Sequence, residues 1–379
     1  MPGLRERAVN LCRYAVIEVS PVTALDLAHA RAPLGCGRYD KRRMKRRYWI
    51  AGTATAAAGL AVAVKLLSRP LDVDWDQNRG VVFHSEHSRF ADVDGIRVHY
   101  QEAGSPAHPA MLLLHGFCSS TLVWSKVFLH LAEAGFRVIV PDLLGFGYSG
   151  KPRNGEYTIA GQARRIVRLL DYLKIERAII VGSSYGGAVA ATCALDYPER
   201  VNRLVLVAPV NNNRPLQFKL MRVFSSRLVG DLISPLLLGS RRLLRKRMKR
   251  VYDRHEWVLD ERRVEARHRP LRAASTHRAI IRTVRYWDAE RISRDAHLIT
   301  QPTLLVWGDN DPEIPLADGE LLQEQIPGSR LIVFKSCGHL PHEEYPEQFV
   351  NVVTGFCATK KRVSTDYADY TDSELEQLT

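Results

Sequence analysis

The most constraining feature of this chain is a series of short apolar runs separated by stretches with helical spacing. A-M-L-L-L-H (Ala110 to His115), R-V-I-V-P-D (Arg137 to Asp142), A-I-I-V-G (Ala178 to Gly182), R-L-V-L-V-A (Arg203 to Ala208), T-L-L-V-W-G (Thr303 to Gly308) and R-L-I-V-F (Arg330 to Phe334) are such runs. Continuous apolar strands of this kind are buried on both faces. Between two of them, Tyr157 to Leu173 places Ile159, Ile166, Leu169, Leu170 and Leu173 on one helical face. The alternation predicts an α/β domain with a mostly parallel, doubly wound sheet. One more strand, R-V-H-Y (Arg97 to Tyr100), precedes the series. Chemistry in such a sheet belongs at the carboxyl ends of the strands.

One strand runs directly into G-S-S-Y-G, residues Gly182 to Gly186, and a small-residue helix pattern, A-V-A-A-T-C-A-L, follows. A strand–turn–helix of this composition holds a serine at a sharp turn with its hydroxyl exposed. The turn brings together the residues two before and two after the nucleophile, so both must be small. Ser184 has Gly182 and Gly186 at those positions, whereas Ser183 would have Val181 and Tyr185. Ser184 is therefore the candidate nucleophile, Gly182 and Gly186 form its elbow, and Gly187 allows close helix–strand packing.

A serine hydroxyl needs a base and an orienting acid. His339, in C-G-H-L-P-H-E-E after the last strand, is the candidate base, with His342 as competitor. The strand ending at Gly308 is followed by D-N-D-P-E, which offers Asp309 and Asp311. Asp311 is preferred, because Asp309 sits where it would shape the turn beside Gly308. An oxyanion hole requires N–H groups aimed at the developing charge. The backbone N–H groups of Phe117, in H-G-F-C, and Tyr185 are the candidates. Cys118 and Cys337 adjoin these segments in sequence, so thiol modification is expected to block the site. None of the six cysteines forms a C-x-x-C pair, and their spacing indicates neither a zinc site nor a disulfide framework.

L-L-L-H-G-F (Leu112 to Phe117), V-P-D-L-L-G-F-G-Y-S-G-K-P (Val140 to Pro152), V-G-S-S-Y-G-G (Val181 to Gly187), W-G-D-N-D-P-E-I-P (Trp307 to Pro315) and G-H-L-P-H-E-E-Y-P-E (Gly338 to Glu347) occur in that order. Together they resemble the α/β-hydrolase superfamily, in its serine branch with an H-G-F oxyanion loop. The resemblance implies the α/β-hydrolase fold, a helical cap and no cofactor. Family epoxide hydrolases and haloalkane dehalogenases use an aspartate where Ser184 stands. Proline iminopeptidases carry Gly-Gly-Pro where this chain has Phe117 and Cys118. Ester and lipid hydrolases, thioesterases and carbon–carbon bond hydrolases remain. A carboxylesterase or lipase acting on lipophilic esters is the favoured expectation. The alternatives are a thioesterase, a carbon–carbon bond hydrolase or a non-catalytic ligand-binding protein.

Charge locates the cap. The whole chain carries +13, and Asn211 to Arg294 alone holds 22 Lys+Arg against 8 Asp+Glu. Within it, Leu232 to Arg250 mixes leucines and arginines as an interfacial helix does. The other reading is a solvated helix whose leucines pack on the core. Contact with an anionic lipid surface is expected, and nucleic acid is not, since no reading motif accompanies the charge.

Before the core, K-R-R-M-K-R-R (Lys41 to Arg47) leads into an uncharged run from Tyr48 to Val64. As a helix this run reaches about 25 Å, close to a bilayer core of about 30 Å. It reads as an uncleaved signal anchor, a cleaved export signal or a soluble helix. The first puts the catalytic domain outside the cytoplasm, membrane-anchored; the second exports it after cleavage. The expected organisation is a basic region at 1–47, a membrane helix or export signal at 48–67 and a linker at 68–89. Then come hydrolase core at 90–210, cap at 211–295, core again at 296–359 and an acidic disordered tail at 360–379.

Overall fold

A computed structural model describes residues 53, 59, 69–213, 226, 234, 237–253, 259–358 and 368–370. Nine strands form one sheet in the order β1-β2-β4-β3-β5-β6-β7-β8-β9. They are β1 (Ser88–Val93), β2 (Ile96–Ala103), β3 (Ala110–Leu114), β4 (Arg137–Pro141), β5 (Ala178–Ser183), β6 (Val201–Val207), β7 (Thr303–Gly308), β8 (Arg330–Phe334) and β9 (Ala368–Tyr370). β2 runs antiparallel to β1 and β4, and every other pairing is parallel. This is the α/β-hydrolase architecture that the strand pattern and motifs predict.

The helices are α1 (Phe128–Glu133), α2 (Ile159–Tyr172), α3 (Tyr185–Asp196), α4 (Arg241–Val251), α5 (Glu261–His268), α6 (Ala274–Arg285), α7 (Glu290–Asp295), α8 (Leu316–Gln325), α9 (Pro341–Glu344) and α10 (Pro346–Ala358). In α2, Thr158 caps the first turn by accepting from the Gly161 N–H at 2.9 Å. All six residues of β5 are buried, and separate apolar clusters cover the two faces of the sheet. That double burial explains why these strands read as continuous apolar runs.

β1 has no counterpart among the expected strands. It pairs with β2 through a two-residue turn at Asp94 and Gly95, both with positive φ (52° and 73°). The D-G dipeptide is the sequence signal for such a hairpin. Between β6 and β7 the described chain forms α4 to α7, where the cap is expected. In α4, Leu244 and Met248 are buried while Leu243 stays exposed, and Arg241 bonds to Glu261 and Glu265 of α5 at 2.6 and 2.8 Å.

The membrane-anchored placement requires correction. Among the described residues no helix is long and apolar enough to cross a membrane. Residues 48–67 lie outside the described residues except for Thr53 and Gly59, so membrane anchoring has no structural support and is not retained. The tail likewise lies outside them, save for Ala368–Tyr370, which pairs with β8.

Candidate active site

β5 ends at Ser183, and the next residue turns the chain abruptly. Ser184 has φ 54° and ψ −116°, a strained conformation for a residue with a side chain. Its N–H donates to Val207 O at 2.9 Å, and its carbonyl accepts from Val210 N at 3.0 Å. The neighbouring glycines make this turn possible. A Cβ on Gly182 would lie 2.3 Å from Gly186 O, and one on Gly186 would lie 2.2 Å from Leu114 O. A Cβ on Gly187 would meet Pro209 at 2.6 Å.

The loop after β3 approaches the same serine. A Cβ on Gly116 would stand 3.3 Å from Ser184 Cβ and 3.8 Å from its Oγ. Phe117 follows directly. Tyr185 is the first residue of α3, so its N–H has no intrahelical acceptor. The Phe117 ring packs edge-on against Tyr185 and Trp287, with centroids 6.1 and 5.4 Å away.

Asp311 and His339 meet after β7 and β8. Their Oδ2 and Nδ1 atoms are 2.7 Å apart. The other Asp311 oxygen accepts from the N–H groups of Glu313 and Ile314 at 2.7 and 3.0 Å. Burial lowers the His339 pKa, but the Asp311 charge and hydrogen bond outweigh it and leave the imidazole above its ordinary 6.5. The backbone N–H of His339 donates to Val251 O at 2.8 Å, which ties the loop to the end of α4.

The competitors go elsewhere. Asp309 accepts from Cys337 N at 3.3 Å and shapes the turn. His342 stacks on Trp124 at 4.1 Å, and burial drives its pKa down to about 3. The two thiols differ: Cys337 is fully buried, whereas Cys118 is partly exposed beside the serine, with its pKa pushed up to about 11 by burial.

Ser184 and His339 line one cavity of about 280 Å³ with Phe117 and Cys118. Its other walls include Leu238, Leu244, Met248, Leu271 and Leu340, with Arg247 and Arg267 among them. Among the described residues no group of three or more His, Cys, Asp or Glu is arranged to hold a metal ion.

An alternating core, an elbow serine and a histidine–aspartate pair on successive strand ends point to one family. Residues 109–346 match the family model for the alpha/beta hydrolase fold. The chain belongs to the α/β-hydrolase fold family. Within that family it is 32% identical over 270 residues to 2-hydroxymuconate semialdehyde hydrolase of Pseudomonas sp. strain CF600, covering 70% of this chain and 91% of that one. It is 30% identical over 279 residues to 2-hydroxy-6-oxo-6-phenylhexa-2,4-dienoate hydrolase of Comamonas testosteroni, covering 70% and 92%. The crystal structure of a bacterial membrane phospholipase A superposes with TM-score 0.59 at 25% identity, covering 84% and 98%.

Sequence reasoning missed a buried ionic cluster beside His339, the candidate base. Glu343 is 0% exposed and lies four residues after His339. It accepts from Arg263 at 2.5 Å and from the Tyr252 hydroxyl at 2.9 Å, and Arg267 stands 3.6 Å away. Burial raises its pKa, but Arg263 and Arg267 outweigh that and hold the carboxyl below its ordinary value. H-E-E and E-R-R are ordinary surface patterns in sequence, so only the packing exposes this pairing.

Proposed function

We propose that this hydrolase cleaves a carbon–carbon bond beside a ketone in a lipophilic substrate carrying a carboxylate. The cavity carries the reading: Ser184 and His339 share it with a leucine-rich wall and with Arg267, whose side chain is only 10% exposed. Glu343 is a single carboxylate shared between Arg263 and Arg267, and Arg247 also lines the cavity, so the apolar space carries excess positive charge that favours an anionic ligand group. The named substrates of the two enzyme relatives are oxo or semialdehyde acids, which combine a carboxylate with a carbonyl.

In this reading His339 takes the Ser184 proton as Oγ bonds to the ketone carbon. The N–H groups of Phe117 and Tyr185 receive the oxyanion. Asp311 holds the imidazole and stabilises its positive form. Collapse breaks the bond to the neighbouring carbon, whose electron pair passes into the conjugated acid, and His339 returns the proton. His339 then deprotonates water, which adds to the acyl-serine and releases a second carboxylic acid. One water is consumed, and no cofactor takes part in these steps.

Ester hydrolysis is the second reading, favoured by the apolar cavity wall and the phospholipase likeness. It uses the same steps with an alkoxide leaving group. The deciding assay compares a 2-hydroxy-6-oxo-dienoate, whose colour fades on cleavage, with p-nitrophenyl esters of graded chain length. Wild type and Ser184→Ala are run side by side. Dienoate turnover that depends on Ser184 supports the proposal. Turnover of long-chain esters alone overturns it in favour of a lipase, and no Ser184-dependent turnover at all favours a binding protein.

A further inference from the structure

A second groove, of about 360 Å³, lies apart from the catalytic cavity and shares none of its lining residues. Arg153 lines it from the core side, and Arg278, Arg282 and Arg285 line it from α6. The three on α6 are spaced i, i+4 and i+7, so they form one stripe. Like charges four apart on a helix destabilise it unless something neutralises them. Among the described residues, which include Ser226 on the rim, no acidic residue lines the groove and no carboxylate pairs with Arg153, Arg278 or Arg282. Two neighbouring acids are engaged elsewhere: Glu156 pairs with Arg164, and Asp72 accepts from the Ser275 hydroxyl at 2.7 Å.

The floor is rigid. Tyr157 is buried, and its hydroxyl donates to Pro152 O at 2.7 Å, closing the loop that carries Arg153. Tyr157 packs with Leu144 and Ala279 in a small apolar cluster of its own. The Arg282 guanidinium sits 5.9 Å from the Tyr157 ring centroid. Arginine forks presented over a fixed floor suit the tetrahedral, multi-oxygen geometry of a phosphate.

We propose that this groove binds a phosphate-bearing anion, either a soluble phosphate compound or the headgroup of an anionic phospholipid. It is separate from the reaction and does not depend on which bond Ser184 cleaves.

The test uses the full chain, an Arg278→Ala/Arg282→Ala double variant and Arg153→Ala. A control, Arg242→Ala/Lys246→Ala, removes two exposed charges from α4 outside the groove. Circular dichroism and thermal midpoints verify folding. Inorganic pyrophosphate is titrated by calorimetry, and sedimentation is compared on phosphatidylcholine vesicles with and without phosphatidic acid. A tenfold or greater loss of pyrophosphate affinity, about 1.4 kcal/mol, in both groove variants but not the control supports the site. Groove-dependent sedimentation with phosphatidic acid but no pyrophosphate binding assigns the headgroup. Pyrophosphate binding without vesicle capture assigns a soluble ligand. Absence of both, or equal loss in the control, overturns the proposal.

Discussion

Ser184 is held in its conformation by its neighbours. Because Gly186 lies against Leu114 O, Gly186→Ala forces the elbow apart. The expected result is loss of soluble folded protein, or of labelling by a fluorophosphonate that reacts with an activated serine. Ser184→Ala keeps the fold and lowers turnover by about 10⁴-fold or more, measured on whichever substrate is cleaved. In the proposed mechanism His339 acts as base in its neutral form. The rate should therefore rise with pH through an imidazole pKa that lies above 6.5. Asp311→Asn removes the charge that raises this pKa and leaves the burial that lowers it. The acidic limb of the pH–rate profile then moves to lower pH, and kcat falls by about 10⁴-fold. Stability has the opposite sign. A histidine whose folded pKa is raised stabilises fully below the unfolded value, and this is lost as pH rises through the folded one.

At the scale of elements, the cap meets the core through charge as well as apolar contact. α5 supplies Arg263 and Arg267, the chain after α4 supplies Tyr252, and α9 supplies Glu343. Removing the carboxylate leaves two buried guanidinium groups without their anion. Glu343→Ala should cost about 3–5 kcal/mol in urea unfolding near neutral pH. Unchanged stability would show that the cluster is solvated. The lowered pKa of Glu343 makes its contribution present above the ordinary carboxyl range and lost as pH falls through the folded value. At this scale the sequence reads unevenly. The parallel strands and α2 are legible because burial on both faces, or on one, leaves a period in the residues. β1 is less so: it is an edge strand with only Ala91 and Val93 buried, signalled mainly by the D-G turn beside it.

For the molecule as a whole, the arginines between β6 and β7 border two different spaces. Arg267 faces the catalytic cavity, and Arg278 and Arg282 face the second groove. Arg267→Ala should raise KM for carboxylate substrates by about 10-fold or more while leaving neutral esters unchanged, because a buried charge-assisted contact is lost only with the anion. Equal effects on both substrates would place Arg267 outside the binding step. Capture at the more exposed groove should weaken as salt rises, because ionic screening acts most on exposed charges.

The sequence by itself determined the parallel sheet, the position of the elbow and the order of Ser184, Asp311 and His339. These follow from local demands: apolar runs for double burial, glycines flanking a sharp turn, and polar residues just past strand ends. The sequence also preferred Asp311 to Asp309; tertiary structure supplied the 2.7 Å contact of Asp311 with the imidazole and the stacking of His342 on Trp124. Tertiary structure alone joined Glu343 to Arg263 across 80 residues and set Arg153 opposite α6. Such pairings depend on which surfaces the packed elements bring together, and that leaves no period or spacing in the chain.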